Sequence, residues 1–324
     1  MQVIYHSRGT YPALLAAAIH VGALPASAPA DLASALERLG GHAAMQTDGL
    51  REAGLDAAGR RVFGLGRTAR PEVTRRAFHA IADLAGIHAE GFELCNVGPA
   101  IAWDDLRVRV LGWLGFSAAA HRAQLAGLKR IWPLAARAAA QERAGGTVPE
   151  VDPPAPGEVK PSLKVIYHCY GSAHSSVTAA NIHVGVLPLD RRPSPFEILH
   201  QPLFDRAKTH EVGLARLMGV DEWGNEVYVL GLAGSKNQLR QGLIDFLALW
   251  GVPDGRFRFE PTLHHAGIIL RVGGYASRGL GWVVLGRPLC ALGVWLKYPL
   301  FAGHVQQVRN QVALTGHAVS DIIG

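Results

Sequence analysis

The sequence predicts two tandem three-layer α/β domains with mostly parallel sheets, each opening on a P-loop-like strand, loop and helix. Three observations support this. First, the chain repeats itself: Val3-Ile4-Tyr5-His6 matches Val165-Ile166-Tyr167-His168, and His20-Val21-Gly22-Ala23-Leu24-Pro25 matches His183-Val184-Gly185-Val186-Leu187-Pro188. Further along, Gly59-Arg60-Arg61-Val62-Phe63-Gly64-Leu65-Gly66 matches Gly224-Asn225-Glu226-Val227-Tyr228-Val229-Leu230-Gly231. Collinear matches with so long a period mean tandem domains rather than a solenoid. Second, short β-branched runs alternate with helical patterns inside each copy. Third, residues 144–161 are rich in Pro and Gly, lack periodicity, and read as a linker. The expected domains are 1–143, a degenerate structural copy, and 162–324, the intact copy that carries function.

Taken in order, the Ala-rich stretch 118–143 has apolar residues at helical spacing and closes the first domain. In the second copy a strand over 163–168 leads through a small-residue loop to a helix over 176–184. A polar, Pro-containing excursion over 190–208 predicts short surface helices. Residues 214–220 and 226–230 flank Asp221-Glu222-Trp223-Gly224-Asn225, a turn of hairpin length, although the second arm reads equally well as a parallel core strand. A helix over 236–250 places Leu239, Leu243, Phe246, Leu247 and Trp250 on one face. There follow a strand over 256–260, a glycine-interrupted helix over 266–280, a strand over 282–285 ending at Gly286-Arg287-Pro288, and a last helix over 301–314.

Composition sets outer bounds. With 324 residues, 49% apolar and 18% charged, each copy can bury a core of its own. The net charge is +6, but Lys and Arg are scattered without a basic block, which argues against nucleic acid. Cys95, Cys169 and Cys290 are far apart and odd in number, so neither a disulfide framework nor a CxxC metal site is written, and a reducing, cytoplasmic setting fits. The uncharged stretch 9–30 imitates a secretory signal, yet the same pattern recurs at 165–188, so a buried strand and helix explain it better. Arg271, Arg278, Arg287 and Lys297 interrupt the apolar C-terminal region before membrane-spanning length, so no membrane partner is expected.

Chemistry concentrates at residues 169–176. A β-branched strand stops at Cys169-Tyr170-Gly171-Ser172-Ala173-His174-Ser175-Ser176 and a helix begins, bringing backbone N–H groups and hydroxyls to the positive end of the helix dipole, where an anion can sit. The loop has the length of a Walker A element with Ser176 at the hydroxyl position, but Ser175 stands where lysine belongs. It also has the length of the low-molecular-weight tyrosine phosphatase signature, with Cys169 as nucleophile and Ser175 in place of the phosphate-binding arginine. A cysteine at a helix N-terminus beside His174 can become nucleophilic. The expected ligand contacts are therefore Gly171, Ser172, Ser175 and Ser176, with Cys169 and His174 as catalytic candidates. The other reading is a tight structural turn in a non-catalytic interaction or regulatory module.

Arg271, Arg278 and Arg287 lie beside glycines, where backbone can approach a ligand and a guanidinium can grip phosphate or carboxylate; solvent-directed side chains on a helix face are the alternative. Among fifteen histidines, His168, His174, His183, His264 and His265 flank elements expected near one sheet edge, and with Cys169 they offer soft metal ligands. Their spacing matches no recurring metal signature, so no metal is assigned and no cofactor is named. His6 and His20 repeat His168 and His183, which favours structural hydrogen bonding for that pair of positions, whereas His174 has no partner in the first copy.

The segments 166–176 and 224–231, Arg271-Val272-Gly273-Gly274-Tyr275 and Leu285-Gly286-Arg287-Pro288 together resemble the uncharacterised bacterial family called domain of unknown function 3189. The resemblance is collinear over 163–310, with a diverged tandem copy at 1–140 in which Ser7 replaces the cysteine. It implies a family without an assigned activity. The functional expectation is a domain that binds a phosphate-bearing small molecule or nucleotide at 169–176, with a cysteine-dependent phosphatase-like hydrolase as the alternative and the two repeats packed against each other.

Overall fold

A computed structural model describes residues 1–40, 48–98, 111, 116–145, 162–234 and 236–323. The chain forms two compact units, Met1–Val159 with Asn237–Gly251, and Lys160–Lys236 with Val252–Gly324. Of the expected linker, residues 146–161 lie outside the described residues.

The first unit contains β1 (Gln2–Arg8), α1 (Tyr11–His20), α2 (Leu32–Arg38), β2 (Leu50–Leu55), β3 (Arg61–Arg67), α3 (Pro71–Ala85), β4 (Phe92–Asn96) and α4 (Ser117–Gly145). Its sheet has the order β2-β3-β1-β4 among the described residues. β1 runs parallel to β3 and β4, and β2 closes one edge antiparallel to β3. Local chemistry explains the boundaries of α3. Pro71 stands in its first turn with Glu72, a buried stripe of Val73, Ala77, Phe78 and Ile81 faces inward, and Gly86 stops it at φ +70°.

The second unit repeats the plan with β5 (Lys164–Cys169), α5 (Ser175–His183), α6 (Pro195–His200), β6 (Arg216–Val220) and β7 (Glu226–Gly231); α7 (Lys236–Leu249) follows, then β8 (Phe257–Pro261), α8 (Ile268–Gly274) and α9 (Val283–Ile323). Sheet order is β6-β7-β5-β8, with β5 parallel to β7 and β8 and β6 antiparallel to β7. Both readings of the second hairpin arm therefore hold: β7 is one arm of a hairpin and also a parallel core strand. Every residue of β5 is buried, which is why it reads as a continuous apolar run rather than an alternating one.

One face of the first sheet carries Val3, Tyr5 and Val62 against α1 and against Leu128, Ile131, Trp132 and Ala135 of α4. The corresponding face of the second carries Val165, Tyr167, Val227 and Val229 against α5 and against Val294, Tyr298, Phe301 and Val305 of α9. The opposite face of the first sheet is covered by α3 and, from the second repeat, by residues 237–249 of α7. Phe246 lies 5.2 Å from Phe78 and 4.9 Å from Phe92 between ring centroids, and the Leu50 N–H donates to Asp245 at 2.7 Å. Leu239, Leu243 and Phe246 are fully buried, each contributing ~1.5–3 kcal/mol. The first unit is thus three-layered, with one helix supplied by the other repeat.

The C-terminal region differs from expectation. Residues 283–285 are not a strand; they open α9, a helix of 41 residues that includes Pro288 and Pro299. Likewise α8 ends at Gly274 and passes into a π-helical turn, Tyr275–Gly279. Tertiary packing overrides the β-branched run here. A Cβ on Gly286 would lie 2.4 Å from the Ser277 nitrogen, on Gly293 2.5 Å from the Leu270 nitrogen, and on Gly273 2.7 Å from the Cys290 nitrogen. The glycines let α9 lie directly against α8 and its π turn, an approach no strand at that place would satisfy. Among the described residues no helix is long and apolar enough to cross a membrane.

Candidate functional site

The loop between β5 and α5 is held by backbone bonds from the strand beside it. Leu232 N–H donates to Cys169 O at 2.9 Å, and Ala233 N–H to Tyr170 O at 2.8 Å. A Cβ on Gly231 would lie 3.0 Å from Ser172 Oγ and 3.2 Å from the Gly171 carbonyl carbon, so the end of β7 must be bare for the loop to lie there. Ser172 has φ +52°, a left-handed conformation uncommon for a residue with a side chain.

Within this frame the structure groups the predicted residues into two sets. In the first, Ser172 N–H donates to Cys169 Sγ at 3.2 Å, and Ser176 Oγ lies 3.1 Å from the same sulfur. Cys169 is 7% exposed and Ser176 fully buried. Next to them Thr262 at the end of β8 donates its hydroxyl to His168 O at 3.1 Å and lies 3.2 Å from Ser175 Oγ. The Ser172 hydroxyl is buried, with no hydrogen-bond partner among the described residues. Among the described residues no side chain caps the N-terminus of α5.

The second set is built on Asp205. His174 Nε2–H donates to Asp205 Oδ1 at 2.9 Å, Ser277 O–H donates to Oδ2 at 2.6 Å, and Arg278 Nε lies 2.8 Å from Oδ1. Burial pushes the Asp205 carboxyl up, but the bonds from His174 and Ser277 and the charges of His174 and Arg278 outweigh it and hold the group below its ordinary range. Asp205 N–H also donates to Ala173 O at 2.9 Å, seating the excursion on the loop. Arg278 is therefore linked to His174 through one carboxylate. Arg271 instead donates to Ala266 O at 2.9 Å and Leu263 O at 3.4 Å, and Arg287 to Leu199 O at 2.7 Å.

Two of the histidine positions resolve into matching buried networks. Tyr5 Oη lies 2.7 Å from His20 Nδ1, and His20 Nε2 3.2 Å from Asp56 Oδ2; in the second repeat Tyr167 Oη lies 2.8 Å from His183 Nδ1, and His183 Nε2 3.2 Å from Asp221 Oδ2. Each aspartate sits in the turn between the hairpin strands and also accepts backbone N–H groups there. An arginine closes each network from the last helix, Arg143 onto His20 O and Arg309 onto His183 O at 2.6 Å. Burial above all drives both tyrosine hydroxyls far above their ordinary range, so they stay neutral donors.

Around the first loop the chemistry is different. Ser7 Oγ accepts from Ala13 N–H at 3.0 Å and donates to Gly9 O at 2.7 Å. Arg67, 3% exposed, donates from Nε to His6 Nδ1 at 2.9 Å, to Ala69 O at 2.5 Å and to Asn96 Oδ1 at 2.9 Å. Burial, reinforced by Arg67, holds His6 down at about 3, so the imidazole is a neutral acceptor.

Tandem α/β repeats with a thiol and hydroxyl loop at one helix N-terminus define the class of this protein. The family model described as protein of unknown function (DUF3189) matches residues 2–113 and 164–310, and the chain belongs to that family. Searches of curated proteins and of solved structures give no match.

Three contributors to the site escaped the sequence. Asp205 lies in the excursion expected at the surface; its one local sign is the neighbouring Phe204, a large apolar residue that is fully buried and packs its ring edge-on to His174 at 5.2 Å. Ser277 and Thr262 carry no motif and are brought in by α8, its π turn and the end of β8.

Proposed function

We propose that the C-terminal repeat binds a phosphate-bearing small molecule or nucleotide at the loop 169–176, in a reducing, cytoplasmic setting. The observation that carries this reading is Ser172. Among the described residues its buried hydroxyl lacks a partner, just ahead of a helix N-terminus that no side chain caps. An unmet buried hydroxyl costs ~1–3 kcal/mol, and an anion's oxygen satisfies it together with the first helical N–H groups. Gly171 gives the ligand close access, since nothing lies within 4 Å of where its Cβ would be. Ser175 and Ser176 add hydroxyls, and Arg278, ion-paired with Asp205, can contribute guanidinium N–H groups rather than a net charge. A thermal-shift series with inorganic phosphate, nucleotides and sugar phosphates tests it. Wild type should rise in Tm with at least one of them, and a His174→Ala, Ser176→Ala double variant should not. Equal response of the two proteins removes the proposal.

A second reading is favoured by the contacts on Cys169. The Ser172 N–H donates to the sulfur, the Ser176 hydroxyl lies beside it, and His174, oriented by Asp205, can protonate a departing alcohol. In that reaction the thiolate attacks phosphorus, the P–O bond to the alcohol breaks, and water later releases phosphate from the cysteine. Hydrolysis of a generic phosphate ester by wild type and its loss in Cys169→Ser is the expected result. Turnover that survives the substitution excludes it.

A further inference from the structure

Outside the loop, two groups of side chains among the described residues have the composition of a ligand set, Glu93, Cys95 and Glu142 in the first unit and three histidines in the second. His264 and His265 lie in the short 3-10 turn that follows β8, and His304 lies on α9. One ring nitrogen from each comes within 4.8 Å of the other two. The ring centroids are 3.8 Å apart for His264 and His265, 4.8 Å for His265 and His304, and 5.6 Å for His264 and His304.

Two features separate this cluster from ordinary histidine stacking. The Nε2 atoms of His265 and His304 are buried without a hydrogen-bond partner among the described residues, although buried polar atoms are nearly always satisfied. Beside them Glu260 Oε2 lies 3.5 Å from His304 Nε2. A carboxylate oxygen facing the same unprotonated ring nitrogen is a further oxygen donor for a cation held between them. Its other oxygen accepts from Arg258 Nε at 2.6 Å, so the carboxylate is itself positioned.

We propose that His264, His265 and His304 bind a divalent transition-metal ion of the zinc class and thereby tie the turn after β8 to α9. Three imidazoles suit zinc, copper or nickel rather than magnesium or calcium, and a tetrahedral zinc at about 2.0–2.1 Å holds its ligands about 3.4 Å apart, which the 4.8 Å limit on the present nitrogens admits. His264 is exposed, so the fourth coordination position opens toward solvent. The cluster is independent of the phosphate reading, since it shares no side chain with the loop.

The test uses the full chain, stripped with a chelator and titrated with cobalt(II) and, in competition with a chromophoric chelator, with zinc. The expected result is one equivalent bound, visible d–d absorption of a four-coordinate cobalt site, and a zinc-dependent rise in Tm. His264→Gln, an exposed change that leaves the fold intact, should weaken zinc binding more than about tenfold. His304→Gln, checked by circular dichroism, should abolish it, whereas Cys169→Ser should bind as wild type does. No stoichiometric uptake by the wild type, undiminished affinity in His264→Gln, or loss of uptake in Cys169→Ser each overturns the proposal.

Discussion

The two repeats use one fold and fill its first loop in opposite ways. In the N-terminal repeat Arg67 reaches across the loop and gives its protons to His6, Ala69 and Asn96, while Ser7 is used up by its own backbone. The corresponding strand in the C-terminal repeat continues from Gly231 into Leu232, which supplies no cation, and the loop keeps a thiol, three serines and His174. Away from the loop the Tyr-His-Asp networks are nearly superposable in their distances, at 2.7 and 3.2 Å against 2.8 and 3.2 Å. The difference teaches that the networks belong to the architecture and the loop does not: a position can be emptied of chemistry only where packing does not need it.

The sharpest way to break this comparison is to remove the shared part. His20→Ala and His183→Ala should each cost ~3–5 kcal/mol in urea unfolding, because each strands a buried tyrosine hydroxyl and leaves a cavity where the imidazole was, although the aspartates keep their backbone donors. A large cost in one repeat and none in the other would show that the networks are not equivalent. A smaller effect separates the repeats by pH. His6 falls from its ordinary 6.5 to about 3 in the folded chain, so below pH 6.5 the unfolded state takes up a proton that the native state refuses. Native stability should therefore drop as pH falls from 6.5 toward 3, by on the order of a few kcal/mol. His6→Gln should flatten that part of the unfolding profile.

Smaller still are the glycines under the two loops. A Cβ on Gly66 would lie 2.4 Å from Thr10 Oγ1, and one on Gly231 3.0 Å from Ser172 Oγ. Both Gly→Ala changes should cost about 1–2 kcal/mol through overpacking. In thermal-shift titrations with inorganic phosphate only Gly231→Ala should lose the response. Loss of response in Gly66→Ala would place the ligand in the wrong repeat.

Much of this was legible in the sequence because it is local or repeated. Val165 to His168 reads as a buried strand, and the pairing of His20 with His183 favours a structural role for both. What stayed hidden depends on long-range packing. Trp282-Val283-Val284-Leu285 has strand-like composition, and nothing nearby in sequence announces that Gly286 and Gly293 will press α9 against α8. Asp205 is 31 positions from His174, and His304 is 39 from His265, so no spacing rule reaches either pair. The placement of residues 237–249 on the first sheet was equally invisible, since its apolar face fits either sheet.

The central claim, that chemistry resides in the second loop, is tested most directly by competitive thiol alkylation of the native chain, read peptide by peptide in a mass spectrometer. Cys95 and Cys290 serve as internal references. Burial, with Glu142 beside it, drives the Cys95 thiol well above its ordinary range; burial, with Asp205 nearby, pushes Cys290 up to about 12. Cys169, whose sulfur accepts from the Ser172 N–H just ahead of α5, should react with iodoacetamide faster than either, and inorganic phosphate should slow that reaction alone. Equal rates at the three cysteines, or a Cys169 rate indifferent to phosphate, would contradict the account.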